Sequence, residues 1–151
     1  MDDSAQVYGK ANIQGRAKIG GGAQIYDSAT VGDTACVFGY ARVYDLAFVY
    51  GDASVRGRAE VCGYSKLAAG DLTGNARASI HPLVISGPRY AITICDNYVI
   101  AGCQCRTLKE WEHFGSEWPG QEDVDLWRQT LPVLKPIVEY HQSRVDKQER
   151  V

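Results

Sequence analysis

Residues 5–63 read AQVYGKANIQGRAKIGGGAQIYDSATVGDTACVFGYARVYDLAFVYGDASVRGRAEVCG, and the stretch is built on a six-residue period. An aliphatic residue falls at every sixth position: Val7, Ile13, Ile19, Ile25, Val31, Val37, Val43, Val49, Val55, Val61 and Leu67. Alanine precedes each of the first ten by two places, from Ala5 to Ala59, and Ser65 takes its place before Leu67. Glycine or aspartate follows most of the aliphatics by two, as in Val7-Tyr8-Gly9 and Val43-Tyr44-Asp45.

A strict period of six is neither that of a helix nor that of a plain alternating strand. It fits a solenoid of short flat strands joined by tight corners. Alanine and the aliphatic two places later share one side of a strand, and Gly or Asp tolerates the left-handed backbone of a corner. Three strands close one triangular coil, giving an 18-residue super-period. A narrow interior accounts for alanine at one inward site and a branched aliphatic at the other. Coils pair their backbones about 4.8 Å apart, so stability is roughly a sum of neighbour terms.

The quoted run resembles the hexapeptide-repeat proteins that form left-handed parallel β-helices. Its segments ARVYD and DASVRGRAEV resemble an Ala-x-Val-x-Gly-x variant found in phage and prophage proteins. The resemblance implies a mainly β fold, a left-handed parallel β-helix of about four coils, and a homotrimer around the prism axis. Its scaffold carries acyltransferases, γ-class carbonic anhydrases and non-catalytic binders, so fold alone does not assign function.

The phase slips after Leu67, where Thr73 stands in place of an aliphatic; dropping one residue at Ala68-Ala69 restores it and makes Leu72 and Ala78 the last inward positions. The repeat unit therefore spans residues 5–80, with Pro82 just beyond. A second unit over 88–146 changes grammar and forms a small α+β cap. Tyr90 to Cys95 and Tyr98 to Cys105 read as a hairpin whose Asp96-Asn97 turn tolerates positive φ. Thr107-Leu108-Lys109-Glu110 reads as a capping box, opening a short helix through Trp111 and Phe114 that Gly115 and Trp118-Pro119-Gly120 end. A helix from Asp123 to about Val145 follows, kinked or split by Pro132 and Pro136. The stretch AGCQCRTLKEWEHF is similar to a CGCF-x-GTLEEFE module of uncharacterised phage and bacterial proteins, from which no catalytic residue carries over.

The 151 residues carry a net charge of −2. Eight basic and eight acidic residues precede position 81, and eight and ten follow. No block of like charge favours a nucleic-acid polymer or a membrane surface. The N-terminal residues lack a basic and apolar leader, and no apolar run approaches a membrane span. With five cysteines, an odd number, the expectation is reduced thiols and a cytoplasmic location.

For chemistry, hexapeptide acyltransferases use a histidine as general base. The repeats contain none, and His81, just past the last coil, is the one candidate. The three-histidine pattern of a γ-class carbonic anhydrase is absent from the repeats. Cys95, Cys103, Cys105 and His113 could form a zinc site if Cys103 and Cys105 share one strand face, although buried-core packing is the commoner use of cysteine. Outward columns after each aliphatic place Tyr8, Tyr26 and Tyr44 in register on one face and Phe38 on another, an aromatic ladder or an oligomer interface. Arg42, Arg56, Arg58 and Arg77, with Tyr44 and Tyr50, suit a small anionic, nucleotide-like ligand. The expected function is non-enzymatic binding of such a ligand or of a host protein, with no cofactor. Acyl transfer through His81 and a role in virion assembly are the alternatives.

Overall fold

A computed structural model describes residues 4–86, 91–101, 104–113 and 121–149. Thirteen two-residue strands, β1 to β13 in chain order, form three parallel walls. The first wall stacks β1 (Gln6–Val7), β4 (Gln24–Ile25), β7 (Arg42–Val43), β10 (Glu60–Val61) and β13 (Arg77–Ala78). The second stacks β2 (Asn12–Ile13), β5 (Thr30–Val31), β8 (Phe48–Val49) and β11 (Lys66–Leu67). The third stacks β3 (Lys18–Ile19), β6 (Cys36–Val37), β9 (Ser54–Val55) and β12 (Asp71–Leu72). This is a parallel β-solenoid of about four coils, as the six-residue period requires.

Packing follows the period residue by residue. Ala23 to Ala59 and Ile25 to Val61 at the inward sites are sealed from solvent, as are Ser65 and Leu67. Each such valine contributes about 1.5–3 kcal/mol relative to exposure. The first coil differs because nothing described lies beneath it: Val7 is 47% exposed and Ile13 37%.

Asp27, Asp33 and Asp45 hold φ values of 56°, 55° and 59° at the corners. A carboxylate oxygen of each also accepts a backbone N–H from the coil above: Asp45 N to Asp27 Oδ2 at 3.3 Å, Gly51 N to Asp33 Oδ2 at 3.0 Å, and Gly63 N to Asp45 Oδ2 at 2.9 Å. Aspartate therefore does more at these corners than tolerate the backbone; it staples consecutive coils.

The slip lies where the sequence places it. Lys66 still pairs with Phe48, eighteen residues away, whereas Asp71 pairs with Ser54 and Arg77 with Glu60. One residue is missing from the corner between β11 and β12, and Leu72 and Ala78 are the last inward side chains. Gly70 takes the alanine's place, accepting from Ser54 N at 3.0 Å. A Cβ there would lie 2.7 Å from Thr93 Oγ1 and 3.1 Å from Val84 Cγ2. The shortened, glycine-bearing corner is thus where the C-terminal sheet sits down on the prism.

That sheet is a four-stranded antiparallel meander: β14 (Leu83–Ser86), β15 (Ala91–Ile94), β16 (Val99–Ala101) and β17 (Gln104–Arg106). The expected single strand from Tyr98 to Cys105 is two strands, because the chain reverses between the paired Ala101 and Gln104. Strand alternation divides the sheet between two cores. Ile100 and Cys105, paired across β16 and β17, extend the prism core together with Cys95. Val99 and Ala101 face the other way, packing with Ile92, Ile94, Trp111, Leu134 and Val138.

The Asp96-Asn97 turn has a different basis from the one expected. Neither residue has positive φ, and Cys95 N bonds Tyr98 O at 3.1 Å across a four-residue loop. Its side chains instead replace the coil that would have come next. Asn97 Oδ1 accepts from Arg77 N at 3.0 Å, and Asp96 accepts from Ser79 N at 3.0 Å and from Ser79 Oγ at 2.6 Å.

Two helices cover the outer face. In α1 (Leu108–Glu112) the capping box is present: Glu110 N donates to Thr107 Oγ1 at 3.2 Å, and Thr107 N donates to Glu110 Oε2 at 2.8 Å. Trp111 is fully buried and its Nε1–H reaches Val99 O at 2.8 Å. The expected continuation through residues 114–120 lies outside the described residues. The last helix, α2 (Gln121–Glu149), is continuous and not split at its prolines. Pro132 and Pro136 stand four apart on an exposed face, where solvent can satisfy the carbonyls that lose their helical partners. Lys135 ties α2 to Glu112 of α1 at 2.6 Å; the ion pair lowers the glutamate's pKa and raises the lysine's. No helix among the described residues is long and apolar enough to cross a membrane.

Candidate functional site

Because every coil repeats, the first wall carries two adjacent outward columns. One runs Tyr8, Tyr26, Tyr44, Cys62, and its three rings stack with centroids 5.1 Å apart and planes within 3°. Burial in the stack raises the Tyr26 pKa; Tyr44 is raised further by burial and by hydrogen bonding to Cys62. Replacing Tyr26 by leucine keeps apolar bulk but removes both stacks, and is expected to cost about 1–2 kcal/mol, read as a lower urea midpoint. Phe38 follows β6 on the third wall and so does not join this ladder.

The neighbouring column runs Gln6, Gln24, Arg42, Glu60, Arg77. Glu60 sits between its two arginines, ion-paired with Arg42 and 4.0 Å from Arg77 Nε. It also accepts from Tyr44 Oη at 3.3 Å. This carboxylate neutralises much of the charge that Arg42 and Arg77 would offer a ligand. On the third wall Arg56 lies 3.6 Å from Asp71, and Tyr50 follows β8 on the second wall. The six expected ligand residues therefore do not converge on one spot.

Two of them do. Arg42 and Arg58 line a groove of about 450 Å³ together with Gly22, Gln24 and Tyr40. Gly22, Tyr40 and Arg58 form the corner column immediately beside the Gln24–Arg42 column, at the same 18-residue step. The Tyr40 ring lies against Gly22 so closely that a Cβ on the glycine would meet its Cδ1 at 2.8 Å. Yet the side chain remains 70% exposed. Among the described residues Arg58 has no ion-pair partner, unlike Arg42, Arg56 and Arg77. The groove thus presents an aromatic ring, an uncommitted guanidinium and an amide side by side. Tyr40 and Gln24 escape a reading confined to the residues that follow each aliphatic; the column at 22, 40 and 58 would have exposed them.

The zinc constellation is not assembled among the described residues. Cys95 Sγ lies 3.2 Å from Tyr98 O, and Cys105 Sγ lies 3.6 Å from Thr73 O. Burial pushes the Cys95 thiol up to about 11 and raises that of Cys105, whereas zinc takes thiolate. His113 Nδ1 is 2.8 Å from Lys109 O at the end of α1. Cys103 lies outside the described residues, and no group of three His, Cys, Asp or Glu side chains converges within them.

His81 is exposed beside a hollow of about 190 Å³. That is below the roughly 300–1,000 Å³ of pockets for organic ligands of ordinary size. In comparisons with known proteins, no family model, curated protein or solved structure matches the chain.

Proposed function

We propose that the protein is a non-enzymatic binder of a small anionic molecule with a planar ring, a nucleotide-like ligand, held in the groove of Gln24, Tyr40, Arg42 and Arg58. The carrying observation is the groove itself: an exposed Tyr40 ring laid over Gly22 beside Arg58, which has no ion-pair partner among the described residues. A ligand ring stacks on tyrosine, and a guanidinium fork takes its phosphate or carboxylate in two hydrogen bonds. Gln24 offers both a donor and an acceptor to a heterocycle edge.

The inward alanine and aliphatic columns support a hexapeptide-repeat relationship, and with it self-association as a trimer along the prism wall. Leu46, Phe48, Tyr50 and Tyr64 are all exposed on coils three and four, where the first two coils carry Lys10, Asn12, Gln14 and Ser28 at the same steps. An apolar patch confined to two coils suits such a contact. In the phage setting that the resemblance implies, sequestering a nucleotide-like signal would blunt a host defence.

Titration calorimetry with purine and pyrimidine mononucleotides tests the groove. Tyr40→Ala and Arg58→Gln should each weaken binding about tenfold or more, the value of one lost stack or charged hydrogen bond. Affinity unchanged in both variants would remove the ligand from the groove.

A further inference from the structure

The junction between prism and cap holds a second concavity, on the far side of the first wall from the groove. Its lining comes from three parts of the chain: Tyr64 on the fourth coil, Ser79, Ile80 and His81 at the end of the repeats, and Arg144 of α2. Arg144 is exposed and has no hydrogen-bond or ion-pair partner among the described residues. At about 190 Å³ the hollow has room for one small oxyanion, with Arg144, the His81 ring and the Tyr64 hydroxyl as donors.

Ser79 narrows the choice of anion. Both its backbone N–H and its Oγ–H are committed to Asp96, at 3.0 and 2.6 Å. What remains to Ser79 is acceptor capacity only. An anion that fits three donors and one acceptor must itself carry a hydrogen. Inorganic phosphate keeps a P–OH across the neutral range, and sulfate has none. A phosphomonoester keeps one only below its second pKa of about 6. We propose that this hollow is a phosphate site that selects the protonated form of the group, with Arg144 as its principal anchor and Ser79 accepting from the P–OH. The titratable or charged groups around it are Arg144, His81 and Tyr64, with Asp96 behind Ser79 and the buried His141 of α2 beside Arg144. Because the lining joins α2 to the prism end, an occupied site would also hold the cap in place.

The test is calorimetry and phosphorus NMR on the full chain with inorganic phosphate, phenyl phosphate and sulfate, at pH 5.5 and pH 8. Saturable binding of inorganic phosphate is expected, with sulfate at least tenfold weaker. Arg144→Gln should lower phosphate affinity about tenfold or more without altering the melting temperature in phosphate-free buffer, since the side chain is exposed. Any binding of phenyl phosphate at pH 5.5 should fall away at pH 8 more steeply than that of inorganic phosphate; the inorganic arm accounts for pH effects on the site common to both. Binding of the phenyl ester at pH 5.5 as tight as that of phosphate identifies a phosphorylated ligand, and binding of phosphate alone identifies the free ion. Equal affinity for sulfate overturns the proposal. So does phosphate binding that survives Arg144→Gln but is lost in Arg58→Gln, since the anion would then sit in the groove.

Discussion

Replacing Gly51 by alanine is expected to destabilise the protein by about 3 kcal/mol or more, the largest effect of any single methyl added at a corner. Gly51 has φ of 61°, which costs a non-glycine residue about 1–2 kcal/mol. The larger part comes from the slip. With one residue missing between Lys66 and Asp71, the coil above is drawn inward and a Cβ on Gly51 would overlap the Ala68 carbonyl oxygen. Backbone, unlike a flexible side chain, cannot step aside without moving the corner on which the cap is seated. The residue one coil below makes the control. Asp33 has the same left-handed φ and bears a side chain without difficulty, so Asp33→Gly loses only its hydrogen bond from Gly51 N, about 1 kcal/mol. Urea denaturation followed by tryptophan fluorescence checks both. Equal losses in the two variants would mean that the shortened corner has no special rigidity.

Removing the two side chains that close the prism is expected to cost about as much. In an Asp96→Ala/Asn97→Ala double variant the N–H groups of Arg77 and Ser79 lose their acceptors, at about 1–3 kcal/mol for each donor left unpaired. A total near 3 kcal/mol is expected, with loss of hydrogen-exchange protection beginning at β13. Asp96 adds a pH dependence whose sign is set by burial. Desolvation outweighs the hydrogen bonds from Ser79 and raises its pKa above 3.8. A carboxyl group raised in the folded state contributes most when protonated, and that contribution fades as pH climbs from about 4 through the raised value. Asp96→Asn keeps an acceptor and cannot ionise. Its stability relative to the native protein should therefore rise between pH 4 and pH 7, and a flat difference across that range would contradict the burial effect.

How much of this was legible in the sequence depends on which forces act along the chain and which act across it. The inward columns are local: alanine and a branched aliphatic every six residues leave one way to close a narrow coil, so the walls and the last inward positions, Leu72 and Ala78, could be read directly. Even the slip was legible, because Thr73 stands where an aliphatic is due. The cap was less so. Leu83–Ser86 pairs with Ala91–Ile94, but so short a run after Pro82 has no period of its own. The run from Tyr98 to Cys105 reads as one strand by composition, and only the pairing of Ala101 with Gln104 divides it into β16 and β17. By propensity alone, the prolines of α2 are helix breakers. Whether they split a helix depends on whether their orphaned carbonyls meet solvent, which is a tertiary property.

The site divides in the same way. Arg42 and Arg58 were visible as cations on the repeats, but Glu60, Asp71 and the third dimension decide which cations remain available. Glu60 contacts Arg42, Arg77 and Tyr44, drawn from two coils and two columns, a convergence that the six-residue period hides. Tyr40 matters only because Gly22 lies eighteen residues earlier. The 18-residue column carries that information, and the six-residue one does not.

The most direct test of the binder is native mass spectrometry of protein purified gently from cells, run beside Tyr40→Ala and Arg58→Gln. The expected spectrum is a trimer retaining a small ring-bearing anion that both variants lose while keeping their assembly. A ligand-free monomer that takes up no nucleotide on titration would contradict it.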